Sequence, residues 1–466
     1  MLKGFLRNRV VLIDLLAVLF GISSWISING LWVELPLLVQ ELPEGWALPS
    51  YLSIIVQVAN IGPITYSLLR SCGSSPLSPH LVIVPLLLLG CAASLALALT
   101  WDWVATLSSP HSVGLFISVF FLSLVDCTSS VLFLPYMGLF RSLYLNSYLI
   151  GEGMSGFVPS IAALAQGVSG NPVCTNMTLD NGTVVEEAVV GEPRFTTSHF
   201  FTFLLAMMAI SLIAFLLLHF LPTARKERTG ASPSNANFSE VLQHSNEEPV
   251  EEEVAKTKPM YNTALLLTIQ AAVCFLSNGA LPSIQSYSCL PYGNTVYHLA
   301  VTLNAMANPM MAFLAFFMPC TQQGVVLSLA LLGGALSTFI LATALASPGM
   351  IAGLGIGGSL VVITWVVTGA LFSYVKVKIC PPSFLTLLWP CSKLVVFQVS
   401  VAGMCRDSGL LFQCGALTQA GSAGGALIMF LLVNQVGQSL DFWSLQFSCS
   451  SPQVGLFEGY YVSCGG

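Results

Sequence analysis

Charged residues are scarce in this chain of 466 residues: Asp, Glu, Lys and Arg together make up 8% of it, against about 25% in a typical soluble domain. Apolar residues make up 55%, and the mean hydropathy is +0.81. So few charges cannot cover a water-facing surface, which excludes an ordinary soluble protein. The composition indicates a polytopic membrane protein.

Three further absences exclude classes of function. The net charge of -6 leaves no basic face for nucleic acid, so we predict no nucleic-acid partner. The 13 cysteines form no Cys-x-x-Cys pair, which argues against a zinc site. The sequence has no phosphate-binding loop, no His-Glu-x-x-His and no Gly-x-Ser-x-Gly motif. We therefore expect neither enzyme activity nor a cofactor.

What the sequence does contain is many long apolar runs. A membrane-crossing helix needs about 20 predominantly apolar residues. Because the first run continues through Trp32, we interpret it as a span and not as a signal peptide. The sequence predicts an all-α polytopic membrane protein with eleven transmembrane helices, near 10–31, 48–69, 80–101, 112–139, 143–168, 198–221, 260–285, 294–318, 323–346, 351–376 and 409–433.

Basic residues predict the orientation. If eleven helices alternate, every Lys and Arg except Arg194 falls on one side, and the positive-inside rule makes that side cytoplasmic. Lys376 is counted there, in the loop after the tenth span. The N-terminus is then cytoplasmic and the C-terminus extracellular. The predicted outer loop 169–197 agrees, because Asn176-Met-Thr and Asn181-Gly-Thr are N-glycosylation sequons.

One polar stretch divides the chain. Residues 223–259 are rich in Glu, Ser, Asn and Lys, which is typical of a disordered linker. The sequence thus predicts an N-terminal six-helix bundle (1–222), this cytoplasmic linker, a C-terminal five-helix bundle (260–436) and an extracellular tail (437–466).

The two predicted bundles share a pattern. An Asn-Gly pair followed by Leu-Pro occurs in the first span at Asn29 and again in the seventh at Asn278. Asn60 follows Asn29 by 31 residues, and Asn308 follows Asn278 by 30. The spacing predicts a major-facilitator-like parallel repeat, with substrate near the midplane between the bundles. A chance recurrence of Asn, Gly and Pro in helices is the alternative.

Polar side chains inside spans cost free energy unless they are paired or face a cavity, so they are the first functional candidates. Amide groups both donate and accept hydrogen bonds, which suits a neutral ligand with imide-like edges, and aromatic rings stack on a flat one. Alternatively, Asn29 and Asn278 cap helix breaks, Glu34 is exposed, and the aromatic residues belong to the interface belt or the core. The substrate-binding candidates are Trp25, Asn29, Glu34, Gln57, Asn60, Asn278, Gln285, Tyr292 and Asn308.

Three titratable residues in or near spans are candidates for proton coupling: Asp126, Glu152 and His298. Asp126 lies near mid-membrane, where a carboxylate must be protonated or matched by a donor. A structural hydrogen bond between helices is its alternative role. His298 is either a protonation switch or a satisfied packing residue.

Several segments resemble the vertebrate riboflavin transporters of the solute-carrier class. The most extensive is WISINGLWVELPLLVQELPEGWALPSY at 25–51, followed by LVDCTSSVLFLP at 124–135 and GEGMSG at 151–156. In the second half, residues 278–293, 297–300, 308–309 and 373–377 also match. The resemblance implies a plasma-membrane carrier that imports riboflavin (vitamin B2) without needing sodium. We expect it to work by alternating access, as a monomer, with riboflavin bound between the bundles.

Two features depart from that family. Residues 377–400 look like an insertion, and we predict that they do not cross the membrane, because Pro381, Pro382 and Pro390 break helices. A cysteine usual in the last outer loop is missing, which leaves Cys449 and Cys464 free or paired with each other.

The residues alone leave other functions open. A carrier for another planar heterocycle, such as a nucleoside, fits the same features, and a receptor or scaffold that transports nothing is a third reading. The repeat and the buried polar groups favour a carrier, and the resemblance favours riboflavin.

Overall fold

The structure is a computed structural model that describes residues 10–72, 79–106, 109–168, 173–178, 184–189, 192–228, 263–317, 323–345, 356–379 and 409–439. Nearly all regular structure in these ranges is helical. Several sequence features lie outside the described residues: Asn181, most of the linker, the segment from 380 to 408, Cys449 and Cys464.

The first bundle occupies residues 11–226. Short β-hairpins join two of its helix pairs: β1 (Ala105–Thr106) with β2 (Pro110–His111), and β3 (Val173–Thr178) with β4 (Val184–Val189). A 3₁₀ turn, Gly45–Ala47, precedes the third helix. The helices are α1 (Val11–Ile22), α2 (Ile26–Glu41), α3 (Leu48–Val58), α4 (Ile61–Cys72), α5 (Pro79–Thr100), α6 (Val113–Met137), α7 (Ser142–Gln166), α8 (Thr197–Phe220) and α9 (Pro222–Lys226).

The second bundle occupies residues 263–439. Its first span is irregular: α10 (Thr263–Cys274) runs into a π-helical turn (Phe275–Ala280), and a 3₁₀ turn (Leu290–Tyr292) follows two short helices. The remaining helices are α11 (Leu281–Ser283), α12 (Gln285–Cys289), α13 (Asn294–Phe317), α14 (Gln323–Leu345), α15 (Gly357–Ile379) and α16 (Gly409–Ser439).

In the described ranges, nine helical stretches are long and apolar enough to cross a bilayer, and α1 with α2, bent by 53°, would make a tenth. Helix α13 has 24 residues but is not among these stretches. The helical membrane fold is confirmed, whereas the count of eleven spans stays a prediction.

The predicted repeat is present in the packing. In the first bundle, α1 packs on α7, and α6 packs on α3, α4 and α5. In the second bundle, α10 and the π-helical turn pack on α16, and α15 packs on α13 and α14. The first span thus meets the fifth, and the fourth meets the second and third, in both halves. The exact bundle boundaries remain a prediction.

Glycines allow the first and fifth spans of each bundle to come close. A Cβ added to Gly21 of α1 would meet the carbonyl oxygen of Tyr148 on α7. A Cβ added to Gly279 in the π-helical turn would lie 2.6 Å from the carbonyl oxygen of Ser422 on α16. Small residues are the usual device for close helix packing in membranes, and both bundles use it at equivalent helix pairs.

The two bundles meet along a few helix pairs. Helix α7 of the first bundle packs on α13 of the second, and α3 packs on α16 and α11. These pairs follow the same repeat, since α7 corresponds to α16 and α3 to α13. The space left between them holds the site.

Candidate substrate site

A cavity of about 450 Å³ lies between the two bundles. This volume lies within the range of about 300–1,000 Å³ found for small-molecule sites. The first, second, fourth and fifth spans of each bundle line it, so the two walls are built from equivalent elements. A site of this size between repeated bundles suits a small-molecule carrier.

Seven of the nine predicted substrate-binding residues line this cavity: Trp25, Asn29, Gln57, Asn60, Asn278, Gln285 and Asn308. The other two lie elsewhere. Glu34 is only 1% exposed, because α2 continues to Glu41 and places its carboxylate against Gln166, whose Nε2 donates to it at 3.0 Å. Tyr292 is buried in the 3₁₀ turn that follows α12.

The repeated asparagines make the same contact in both bundles. Asn29 Nδ2 donates to Ser155 Oγ on α7 at 3.2 Å, and Asn278 Nδ2 donates to Ser422 Oγ on α16 at 3.1 Å. Each bond joins the first and fifth spans of its bundle. Sequence reasoning found the asparagines and missed the serines, although each serine lies in a glycine-rich stretch that signals close packing.

The amides of Gln57 and Asn60 form a second polar group on the first wall. Asn60 Nδ2 donates to Gln57 Oε1 at 3.3 Å and to the Gln57 carbonyl oxygen at 3.2 Å. Both residues lie at the junction of α3 and α4, so their amides bond to each other where the helix of the second span is interrupted.

The position of Lys376 differs from the prediction, which counted it in the loop after the tenth span when the orientation was assigned. Helix α15 extends to Ile379, so Lys376 lies inside it and lines the cavity. Its Nζ donates to Asn278 Oδ1 at 2.8 Å. Sequence reasoning missed this contact because a lysine near the predicted end of a span fits the positive-inside pattern equally well.

Asp126 is fully buried and contacts the break in the first span. Its Oδ2 accepts a hydrogen bond from the backbone N–H of Ile28 at 3.1 Å. Ile28 lies in the first turn of α2, where backbone N–H groups have no partner within the helix. One turn along α6, Ser129 Oγ donates to the carbonyl oxygen of Ser24 at 3.0 Å. Helix α6 therefore holds both sides of the break, just before Asn29.

Of the three proton-coupling candidates, Glu152 alone is among the residues that line the cavity. Its Oε2 is buried and has no hydrogen-bond partner among the described residues. His298 is buried in the second bundle, and within the described ranges its Nε2 has no hydrogen-bond partner either.

Three further lining residues carry buried polar atoms that have no hydrogen-bond partner among the residues that the structure describes: Trp25 Nε1, Ser130 Oγ and Asn304 Oδ1. Buried polar groups in native proteins nearly always have partners, and each exception needs an explanation. Together with Glu152 Oε2 they comprise one N–H donor, one hydroxyl group and two acceptors, on residues that line a cavity in which a ligand would supply the missing partners. Aromatic side chains line the same cavity and offer flat faces: Trp25, Trp32, Trp365 and Phe372.

Known proteins resemble this chain over most of its length. The profile of a family described as "Solute carrier family 52, riboflavin transporter" matches residues 9–438. A relative from Danio rerio, named as member 3-A of that family, is 39% identical over 448 residues, covering 91% of this chain and 95% of its own. A relative from Homo sapiens, named member 3, is 37% identical over 490 residues, covering 93% and 98%. Among solved structures, the E. coli fucose:proton symporter aligns with a TM-score of 0.44 and 13% identity, over 93% of each chain.

Proposed function

The chain belongs to the riboflavin transporters of solute carrier family 52, and we propose that it carries riboflavin through the cavity between its two bundles. It is a multi-pass membrane protein of a transporter family and not an enzyme. The observation that carries the proposal is the cavity itself, which combines amide side chains with aromatic faces.

Riboflavin has chemical features that this lining complements. Its flat ring system carries a dione edge, in which two carbonyl groups flank one N–H, and its ribityl chain carries hydroxyl groups. Amide groups of Asn and Gln pair with such an edge because they donate and accept. Indole and phenyl rings stack on a flat heterocycle.

The uptake of labelled riboflavin by cells that express this chain tests the function directly. We expect saturable uptake that excess lumiflavin, the same ring without the ribityl chain, inhibits and excess adenosine does not. Inhibition by adenosine alone would favour the nucleoside carrier. The absence of any uptake, with the protein at the cell surface, would favour a receptor or scaffold.

The proposed contacts of the amides with substrate need their own test. Asn29→Ala removes a group whose loss leaves a polar partner unpaired, at a cost of about 1–3 kcal/mol. The apparent KM should rise roughly 5- to 150-fold. A normal KM for both Asn29→Ala and Gln57→Ala, at normal surface expression, would contradict direct contact.

We propose alternating access, with this structure closed at the end that residues 40–51 form. Asn294 Nδ2 donates to Gln40 Oε1 at 3.1 Å there, across the two bundles. The rings of Trp46 and Tyr287 meet at 5.7 Å, and those of Tyr51 and Phe430 at 5.1 Å. The predicted topology makes this end extracellular.

We propose that transport is linked to protons through Glu152, the candidate that faces the cavity, with Asp126 and His298 as the further candidates. Independence of sodium follows from the family resemblance. Uptake should be unchanged when choline replaces sodium.

The rate of uptake should depend on external pH in the wild type, and this dependence should be weaker in Glu152→Gln. Identical pH profiles would contradict a role of Glu152 in proton linkage.

The remaining proposals concern place and topology: a plasma-membrane monomer, with a cytoplasmic N-terminus, an extracellular C-terminus, and glycans on Asn176 and Asn181. Asn176 lies on β3, in the connection between α7 and α8 that is predicted to be extracellular. A tag after Gly466 should stain on intact cells, and glycosidase should shift the wild type but not a variant lacking both asparagines. Staining only after permeabilisation would indicate an even number of spans.

A further inference from the structure

The two walls of the cavity are equivalent in construction but not in charge. Ser155 and Ser422 accept hydrogen bonds from the repeated asparagines. Three residues before each of them, on the same helix, lies another residue that lines the cavity: Glu152 on α7 and Gln419 on α16. The repeat therefore carries an acid on the first wall where the second wall carries a neutral amide.

A cation on the second wall adds to this difference. Lys376 lines the cavity from α15, and the hydrogen bond of its Nζ to Asn278 Oδ1 fixes the ammonium beside the repeated asparagine of that wall. The carboxyl oxygen Glu152 Oε2 on the first wall is buried and has no hydrogen-bond partner in the part of the chain that the structure describes. The cavity thus presents an acceptor on one side and a cationic donor on the other.

The helices that carry the two charged residues approach the same turn of α13. A Cβ added to Gly153, next to Glu152, would lie 3.9 Å from Cβ of Pro309. Ser373, one turn before Lys376, donates through Oγ to the carbonyl oxygen of Asn308 at 2.8 Å. One ligand lying across Asn308 and Pro309 would therefore have the acid towards one end and the cation towards the other.

The two ends of riboflavin differ in hydrogen bonding, and this difference matches the one between the two walls. The dione edge of the ring is rich in hydrogen-bond acceptors and draws electron density, so it suits a cation. The hydroxyl groups of the ribityl chain are donors, and a carboxylate is the strongest acceptor among protein side chains.

We propose that this pair of charges sets the orientation of the substrate: Lys376 binds the dione edge of the ring, and Glu152 accepts hydrogen bonds from the ribityl hydroxyl groups. This inference rests on the proposed function and adds two specificity-determining residues to it. It makes the charges on the two walls, and not the repeated amides, the feature that distinguishes one end of the ligand from the other.

Binding of two ligands to the purified full chain tests the orientation. Riboflavin carries both ends, whereas lumiflavin has the ring without the ribityl chain, and the fluorescence of both permits a measurement of Kd. Lys376→Met should raise the Kd of both ligands by about 10- to 100-fold, because a hydrogen bond to a charged group is lost. Glu152→Gln should raise the Kd of riboflavin by about 5- to 50-fold and leave that of lumiflavin within about twofold.

Lys378→Met is the matched control. Lys378 lies on the same helix, with its Nζ 5.4 Å from the centroid of the Tyr374 ring, and is not among the residues that line the cavity. Its replacement should leave both Kd values unchanged. If Lys376→Met does not fold, Lys376→Gln removes the charge while keeping an N–H donor for Asn278, and the same two Kd values are expected to rise.

The outcomes separate the two levels of inference. A wild-type chain that binds neither ligand would overturn the proposed function. Wild-type binding with a Lys376 variant that weakens riboflavin alone, or neither ligand, would overturn the orientation. So would a Glu152 variant that weakens both ligands equally, because a merely structural role would not distinguish ligands that share one ring.

Discussion

At the scale of single residues, burial decides what a polar side chain can do. Asp126 is fully buried, and its carboxylate accepts the N–H of Ile28 at the start of α2. The positive end of a helix dipole favours an acidic group at that place. Elsewhere, where α6 begins, the buried Glu44 carboxylate accepts from the backbone N–H of Ser112 at 2.8 Å and from its Oγ at 2.6 Å. Each of these acids thus caps the start of a helix that is far from it in the sequence.

This role predicts how substitutions of Asp126 behave. Asn keeps an oxygen that accepts the N–H of Ile28, so Asp126→Asn should retain most riboflavin uptake. Asp126→Leu removes the acceptor and should cost about 1–3 kcal/mol of stability, seen as a lower melting temperature of the purified protein and as weaker surface expression. If Asp126→Asn folds normally but loses uptake or its pH dependence, the residue carries a proton.

At the scale of elements, the first span of each bundle is broken where it faces the cavity. The break between α1 and α2 contains Ser23 and Ser24, whose hydroxyl groups donate to carbonyl oxygens three residues earlier. Such bonds compete with the helical ladder. The seventh span relaxes into a π-helical turn that contains Asn278. Breaks of this kind expose backbone and amide groups to a binding cavity.

The close packing beside the second break gives a prediction with an internal control. A Cβ on Gly279 would lie 2.6 Å from the carbonyl oxygen of Ser422, whereas a Cβ on Gly424 of α16 would meet no described residue within 4 Å. Gly279→Ala should therefore destabilise the protein by about 1–3 kcal/mol through overpacking. Gly424→Ala should leave stability unchanged.

Melting temperatures of the purified variants provide the comparison. Equal melting temperatures for Gly279→Ala and Gly424→Ala would mean that α10 and α16 have room to separate. The close approach between the seventh and eleventh spans would then not restrict the side chain at position 279 to hydrogen.

At the scale of the whole molecule, the bundles touch at one end of the cavity through the Gln40–Asn294 hydrogen bond and the Trp46–Tyr287 ring pair. Alternating access requires these contacts to break once in every cycle. These contacts are partly polar, as in transient interfaces between domains, so we expect the bundles to separate more readily than the helices within each bundle.

A reversible cross-link tests that requirement. Gln40→Cys combined with Asn294→Cys places two thiols across the closed end, and a short bifunctional thiosulfonate reagent should join them. We expect uptake of riboflavin to fall to the background of cells without the transporter and to recover after reduction. Each single variant treated in the same way is the control, and full uptake in the cross-linked double variant would contradict an opening at this end.

How much the sequence predicted differs from residue to residue within the site. Asn29 and Asn278 were found because an Asn-Gly and Leu-Pro pattern recurs in apolar spans, and both line the cavity. Ser155 and Ser422 were missed because serine in a membrane helix is common and carries no pattern of its own. Lys376 was misplaced because the end of α15 could not be located to within a turn, and one turn separates a loop charge from a charge in the cavity.

The sequence by itself determined the class of protein, the helical membrane fold, the repeat and the family. These depend on composition, apolar run length and motif spacing, which are properties of the chain in order. Only the tertiary structure decided which polar groups share the cavity, that Asp126 meets Ile28, and that Glu152 and Lys376 lie on opposite walls. Such facts join residues about 100 to 220 positions apart, and the packing of glycine-rich helices against each other brings them together.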